Sequence, residues 1–208
     1  MKTALIITSS ANGDASVSNG LAATLVDRLR ESDPGLHVVL RDVGANPLPH
    51  LTAGTVAAIK GEPKSAAELE ARALSDALVA ELAAADILVI ASPMYNFGMS
   101  STLKAWFDHV LRAGLTFRYT ESGPEGLMKG KKAVVIESRA GFYSEGAAAA
   151  MDGQEPHIRI LLGFMGIDEV SFVRAEKLAF GPEAAAAAIA EASEALGLFA
   201  DETLKLAA

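Results

Sequence analysis

The chain has 208 residues, 50% of them hydrophobic and 21% charged, a composition that is ordinary for a globular protein and excludes a disordered one. It has no cysteine, which excludes disulfides, thiolate metal sites and a cysteine nucleophile, and which favours the cytoplasm. Eighteen Lys and Arg stand against 26 Asp and Glu, and the net charge of -8 argues against nucleic acid as a partner.

Five short apolar runs, each bounded by turn residues or charges, predict strands, and stretches with helical spacing of leucines separate them. In chain order the runs cover residues 4–7, 38–40, 87–90, 133–136 and 170–173. The predicted helices cover residues 18–30, 69–82, 103–111 and 157–162, and a last helix runs from about Pro182 to about Leu206. No apolar run approaches the roughly 20 residues of a membrane span, so we expect no membrane association.

The alternation of strands and helices predicts an α/β fold, a doubly wound five-stranded parallel sheet with helices on both faces. Runs that are apolar at every position are typical of strands buried on both faces, whereas the run at 170–173 alternates and is expected at an edge. The composition shows no break, so residues 1–208 are expected to form one domain. Two segments, 45–64 and 116–132, exceed a minimal crossover and are candidates for site walls or subunit contacts.

In such a sheet, ligands bind outside the carboxyl ends of the strands, so the loops that follow strands carry the functional prediction. The first loop, residues 8–19, holds five hydroxyls and no Lys or Arg, and it has neither the G-x-G-x-x-G nor the P-loop pattern. Backbone N–H groups at a helix start and hydroxyls can bind a single phosphate without a cation. The alternative is ordinary N-capping by Ser16 or Ser18.

The second loop, residues 92–100, places two aromatic residues and two methionines where a loop would meet solvent, which indicates a covering ligand. The alternative is a loop folded back onto the core. In the third loop, residues 138–143, Gly141 allows close backbone approach, and Arg139 would either neutralise charge at a cofactor or form a surface ion pair. Together the loops predict a crevice for a mononucleotide with a large ring system.

Three stretches in these loops resemble the FMN-binding segments of bacterial FMN-dependent NADH:quinone oxidoreductases, also called azoreductases. They are Ser10 with Ser16-Val17-Ser18, then Met94-Tyr95-Asn96-Phe97, then Ser138-Arg139-Ala140-Gly141. The resemblance covers essentially the whole chain, and its most specific motifs are P-M-Y-N-F and F-R-Y-T-E. The chain departs from the family at Val17, where glutamine is common, and at Ala140, where glycine is common.

The resemblance implies a flavodoxin-like fold and a homodimer with two active sites at its interface. It implies one non-covalent FMN per subunit, bound by the residues of the three stretches, with NADH as the donor. Family members reduce quinones by two electrons and cleave aromatic azo compounds to amines. In this ping-pong scheme hydride passes through N5 of the flavin, so no side chain is named as catalytic and no metal is expected.

Three further aromatic residues, Phe117, Tyr119 and Phe164, are candidates for stacking on a flat substrate. The alternatives are a hairpin packed on its own subunit for the first two and core packing for Phe164. Two other functions stay open at the sequence level, a flavodoxin-type electron carrier and a flavin-based redox sensor. Direct consumption of NADH would separate the enzyme from the carrier.

Overall fold

A computed structural model describes residues 1–205 and places five parallel strands in one sheet, in the spatial order β2-β1-β3-β6-β7. The strands of the chain are β1 (Thr3–Thr8), β2 (His37–Asp42), β3 (Ile87–Pro93), β4 (Phe117–Thr120), β5 (Gly123–Gly126), β6 (Lys132–Ser138) and β7 (Glu169–Ala175). The helices are α1 (Val17–Ser32), α2 (Ala53–Lys60), α3 (Ala66–Ala84), α4 (Ser101–Val110), α5 (Glu155–Phe164) and α6 (Pro182–Lys205). Two short 3-10 turns, Gly13–Ala15 and Gly146–Met151, complete the list of helical elements.

Alternate residues of the central strands feed two hydrophobic cores, one on each face of the sheet. Leu5 and Ile7 of β1 pack with α3, α4 and α5 on one face, around the fully buried Trp106. Ala4 and Ile6 pack with α1 and α6 on the other face. Because β1, β3 and β6 are covered on both faces, they need apolar residues at nearly every position, and this is the pattern in the sequence.

The predicted fold class is confirmed, and all five predicted strands belong to the sheet. The alternating run is β7, which lies at one edge as expected, with β2 at the other. The predicted last helix begins at Pro182 as α6, and its predicted end at Leu206 lies outside the described residues. Among residues 1–205, no helix is long and apolar enough to cross a bilayer.

The two long segments, 45–64 and 116–132, contain secondary structure that was not predicted from the sequence. The first holds α2, whose N-terminus is closed by a reciprocal pair of bonds between Thr52 and Thr55. The second forms an antiparallel hairpin of β4 and β5. This hairpin packs closely on the end of α5, where a Cβ added to Gly126 would lie 2.1 Å from the backbone nitrogen of Gly166.

Candidate cofactor site

A cavity of about 260 Å³ opens at the carboxyl ends of the strands, beside the point where the strand order reverses between β1 and β3. Each of the three loops singled out from the sequence contributes to it, together with the loop that follows β7. Its lining residues are Ser10, Asn12, Ala15, Ser16, Val17, Pro93, Met94, Tyr95, Ser138, Ala140, Leu178 and Ala179. No lysine or arginine is among them.

The N-terminus of α1 forms one end of this cavity. Ser16 is the N-cap, and its hydroxyl accepts a bond from the N–H of Asn19 at 3.3 Å and lies 3.3 Å from the hydroxyl of Ser18. The N–H groups of Val17 and Ser18 have no acceptor among residues 1–205. Two free N–H groups and hydroxyls at the positive end of a 16-residue helix suit a phosphate.

The first loop is held in place by the second loop on one side and by Gly44 behind it. The hydroxyl of Tyr95 accepts a bond from the N–H of Ala11 at 3.1 Å and lies 3.3 Å from the hydroxyl of Ser10, so it joins the first loop to the second. Behind the loop, a Cβ added to Gly44 would lie 2.3 Å from the carbonyl oxygen of Ser10. Only glycine therefore fits at position 44 without moving the loop.

The second loop turns through two residues in the left-handed region, with φ of 47° at Asn96 and 70° at Phe97. Tyr95 and Gly98 close this turn, each donating its N–H to the other's carbonyl, at 2.8 and 3.1 Å. Asparagine tolerates such a conformation, whereas phenylalanine is strained in it by roughly 1–3 kcal/mol. Strain of this kind persists where the surroundings hold it, and it is concentrated at binding sites.

The third loop runs beside the loop that follows β7. The carbonyl of Ala140 accepts a bond from Ala179 at 3.0 Å, and the carbonyl of Gly141 accepts one from Lys177 at 2.7 Å. A Cβ on Gly141 would lie 2.9 Å from the ring of Tyr143, so a larger residue at position 141 would have to displace that ring. The Tyr143 ring also meets Phe97 edge-on, with ring centres 6.1 Å apart, which joins the third loop to the second.

The structure contradicts one of the two interpretations of Arg139, the surface ion pair. Its side chain is fully buried, so a surface ion pair is wrong, and it is not among the residues that line the cavity. Its N–H donates to the carbonyl of Ala175 and its own carbonyl accepts from Leu178, so the backbone is occupied as well. The physical reason is that carboxylates around the guanidinium, at 2.6 to 3.2 Å, draw it into the protein.

One of these carboxylates, Glu137, is wholly buried, and its Oε1 has no hydrogen-bond partner among the described residues. Burial raises the pKa of Glu137 to about 8, because the attraction of Arg139 only partly offsets the loss of water and because Glu155 and Asp152 repel its charge. Glu176 behaves differently. Burial would raise its pKa, but bonds from Ser144, Tyr143 and Arg139 outweigh burial and lower it.

The three stacking candidates lie together, but outside the cavity at the strand ends. The ring of Phe117 is 4.6 Å from that of Phe164 and 5.6 Å from that of Tyr119, measured between centres. They line a second cavity of about 490 Å³, which also contacts α2 and α3 and shares no lining residue with the first. Phe117 is buried and Tyr119 is 73% exposed, so within one chain the hairpin presents one aromatic ring to the outside.

The structure thus brings most, though not all, of the predicted residues to one cavity. Those that line it are Ser10, Ser16, Val17, Met94, Tyr95, Ser138 and Ala140. Ser18, Asn96, Phe97 and Gly141 flank it on the same loops, and Arg139 lies beneath it. Sequence reasoning did not find Gly44, which supports the first loop, or Leu178 and Ala179; the position of these two after the fifth strand was the only available signal.

Comparisons with known proteins agree with this geometry. A family model described as a flavodoxin-like fold matches residues 2–198. An FMN-dependent NADH:quinone oxidoreductase of Hyphomonas neptunium is 57% identical over 189 residues, 91% of each chain. The chain belongs to this family. Another FMN-dependent NADH:quinone oxidoreductase, from Escherichia coli O157:H7, is 46% identical over 198 residues, 94% of this chain and 97% of that protein.

Solved structures support the same family. The crystal structure of azoreductase from Bacillus anthracis matches with a TM-score of 0.90 and 27% identity, over 97% of this chain and 100% of that one. The resemblance found in the three loop motifs is therefore confirmed, and so is the oxidoreductase class that it implied.

Proposed function

We propose that this protein is an FMN-dependent NADH:quinone oxidoreductase that also cleaves aromatic azo compounds. The observation that carries the proposal is the cavity at the strand ends, where free N–H groups at the start of α1 adjoin a strained turn in the second loop. Bound there, FMN would supply two-electron transfer from NADH to the acceptor in two successive half-reactions, and the chain's own residues would bind and orient the reactants.

The phosphate of FMN would be held by the N–H groups of Val17 and Ser18 and by the hydroxyls of Ser10, Ser16 and Ser18. Since main-chain donors supply the charge complementarity, valine in place of glutamine at position 17 leaves them intact. We therefore expect the chain to bind FMN although it departs from the family at this position.

The ring end would be met by Met94, Tyr95 and the turn at Asn96 and Phe97, with Ser138, Ala140 and Gly141 on the third loop. In a turn whose two central residues are left-handed, both central N–H groups point away from the closing bonds. The N–H groups of Asn96 and Phe97 are thus free to donate to an oxygen or nitrogen at the edge of a ring system.

We propose that the active enzyme is a homodimer in which the stacking residues Phe117, Tyr119 and Phe164 of one subunit face the flavin of the other. Two observations support this. The aromatic cluster is separate from the cofactor cavity within one chain, and Phe97, Tyr119 and Ile160 remain 43%, 73% and 66% exposed. Large exposed apolar side chains near a site are typical of subunit contacts.

We further propose that residues 1–208 act as one FMN-binding domain and work in the cytoplasm, where NADH is supplied.

The test is steady-state oxidation of NADH by the purified, FMN-loaded protein with benzoquinone as the acceptor. The enzyme is expected to consume NADH and quinone in equal amounts without any second protein, and to decolorise an azo dye at the expense of two NADH per azo bond. A protein that carries FMN but needs a separate reductase would be an electron carrier, and this result would overturn the proposal.

A further inference from the structure

A buried polar cluster lies beneath the cofactor cavity, and we call it the Arg139 cluster. It consists of Arg139, Glu137, Asp152, Gln154 and Glu176. The guanidinium donates through Nε to Gln154 at 3.0 Å, through Nη1 to Glu176 at 3.2 Å and through Nη2 to Glu137 at 2.6 Å, and Nη2 also forms an ion pair with Asp152 at 3.0 Å. Arg139, Glu137 and Gln154 are all completely buried.

The members of the cluster come from the segments that carry the site. Glu137 and Arg139 belong to β6 and its loop, and Glu176 follows β7. Glu176 also accepts a bond from the N–H of Tyr143 at 2.9 Å, which fixes the end of the third loop. Asp152 and Gln154 come from the segment just before α5, where Asp152 accepts bonds from the N–H of Gln154 and from that of Glu155, the first residue of the helix.

The segment 152–154 reaches from the cluster to the second loop. The amide of Gln154 accepts from Arg139 and donates through Nε2 to the carbonyl of Ser92 at 2.8 Å and to its hydroxyl at 3.0 Å. The N–H of Gly153 donates to the carbonyl of Phe97 at 2.9 Å. Neighbouring residues of one short segment therefore hold the start of the second loop and its strained turn.

Stability alone is a weak reason for this arrangement. Burying several charges costs solvation that their mutual attraction rarely recovers, and an apolar core of the same volume is commonly at least as stable. In the Arg139 cluster one guanidinium serves three carboxylates, and Glu137 leaves one oxygen without a partner. Geometric precision is a better reason, because charge-assisted bonds with fixed directions hold a loop more exactly than apolar contacts do.

We propose that Gln154, anchored by Arg139, is a positioning residue for the ring end of the cofactor site. Together with the adjoining Gly153, it holds the turn at Asn96 and Phe97 in the conformation that presents its N–H groups to the flavin ring. This inference rests on the proposed function. It assigns to the cluster an effect on ring binding and none on the phosphate end, where α1 binds independently.

The test variant is Gln154→Met, which keeps the length of the side chain and removes both of its polar arms. Replacing Arg139 would remove the nearest cation of Glu137, Asp152 and Glu176, and the variant could fail to fold for that reason alone. The matched control is Arg41→Met, which removes a half-buried ion pair with Glu81 on the opposite edge of the sheet. Circular dichroism of each full-length variant establishes that it is folded.

Binding of FMN and of riboflavin to the flavin-free full-length chain is measured by quenching of flavin fluorescence. Both flavins share the ring, and only FMN has the phosphate. Gln154→Met is expected to lower the affinity for FMN and for riboflavin by the same factor, about tenfold or more. It should also move the visible absorption band of bound FMN toward that of free FMN. Arg41→Met is expected to bind both within twofold of the parent.

A second variant tests the contact between Gly153 and the turn at Phe97. Gly153→Ala would place a Cβ 3.0 Å from the carbonyl oxygen of Phe97 without altering the Arg139 cluster. It is expected to lower the affinity for riboflavin at least threefold. Unchanged riboflavin binding by Gln154→Met, or a loss confined to FMN, would overturn the inference. If the parent protein itself bound no flavin, the proposed function would fail, which is a separate and recognisable outcome.

Discussion

At the scale of single residues, the proposed phosphate site is unusual in having no cation among its lining residues. Ser16→Ala removes the N-cap of α1 and one hydroxyl of that site. Loss of the cap is expected to lower the free energy of unfolding by about 1 kcal/mol, and FMN should bind more weakly while riboflavin is unaffected. Urea unfolding and fluorescence titration measure the two effects. Ser32→Ala, at the exposed far end of α1, is the control, and equal weakening of both flavins would contradict the assignment.

Gly44 is a site-supporting residue of a different kind, because it lies behind the first loop and does not line the cavity. Gly44→Ala would put a Cβ 2.3 Å from the carbonyl oxygen of Ser10, so the loop has to move. FMN affinity is expected to fall at least tenfold in the same fluorescence titration. Gly20→Ala is the control, since a Cβ there meets nothing within 4 Å and alanine favours the helix. Normal FMN binding by Gly44→Ala would show that the position of Ser10 does not matter.

The buried carboxyl of Glu137 predicts a pH dependence of stability. Its pKa rises from an ordinary 4.5 to about 8 on folding, so the folded state keeps a proton that the unfolded state has lost. Stability from this group is complete below pH 4.5 and is lost as the pH rises through about 8. Glu137→Gln removes the titrating group and should flatten the decline, so that the variant gains stability relative to the parent as the pH rises from 6 to 9.

Urea unfolding at several pH values between 5.5 and 9 measures this effect. The control is Glu125→Gln on the exposed hairpin, where Lys129 and Arg118 lower the pKa of the carboxyl, so it is ionised throughout that range and should leave the slope unchanged. A parent protein as stable at pH 9 as at pH 6 would show that Glu137 is ionised in the folded state.

At the scale of elements, the hairpin of β4 and β5 carries the proposed substrate contacts and is positioned by its packing on α5. Gly126→Ala would drive a Cβ into the backbone of Met165 and Gly166, at 2.3 and 2.1 Å, and displace the hairpin. We expect kcat/KM for benzoquinone to fall about tenfold while FMN occupancy stays unchanged. Steady-state kinetics and the visible spectrum measure the two quantities.

The control for this prediction is Arg118→Gln, which breaks an exposed ion pair with Glu125 on the same hairpin. Exposed pairs contribute little, so this variant should behave as the parent does. If Gly126→Ala lost FMN as well, or kept full activity with quinone, the hairpin would not have the separate role assigned to it.

The sheet and the position of the cavity could be predicted from the sequence, whereas the contacts of Arg139 could not. Continuous apolar runs predicted the sheet, and hydroxyl-rich and aromatic loops at its carboxyl edge predicted where the cavity lies, because both signals are local. The partners of Arg139 could not be predicted, since Glu176 and Gln154 are distant in sequence and no local pattern joins them to it. The apolar Leu178 and Ala179 gave no chemical signal, and α2 was obscured by the prolines around it.

At the scale of the whole molecule, the proposed homodimer would make the subunit arrangement part of the chemistry. The cofactor cavity and the aromatic cluster share no residue within one chain, so a monomer is expected to bind FMN but to reduce quinones poorly. Sedimentation of the FMN-loaded protein should give a dimer of 21.6 kDa chains at the concentrations at which it is active. Full quinone reductase activity from a monomer would contradict the shared active site.

The central claim is that one cavity holds FMN and passes two electrons from NADH to a quinone. The most direct measurement is the visible spectrum of the purified protein during anaerobic addition of one equivalent of NADH and then one of benzoquinone. The account predicts about one FMN per chain, bleached by NADH and restored by the quinone. A flavin that NADH cannot bleach, or a chain that takes up no FMN, would contradict it.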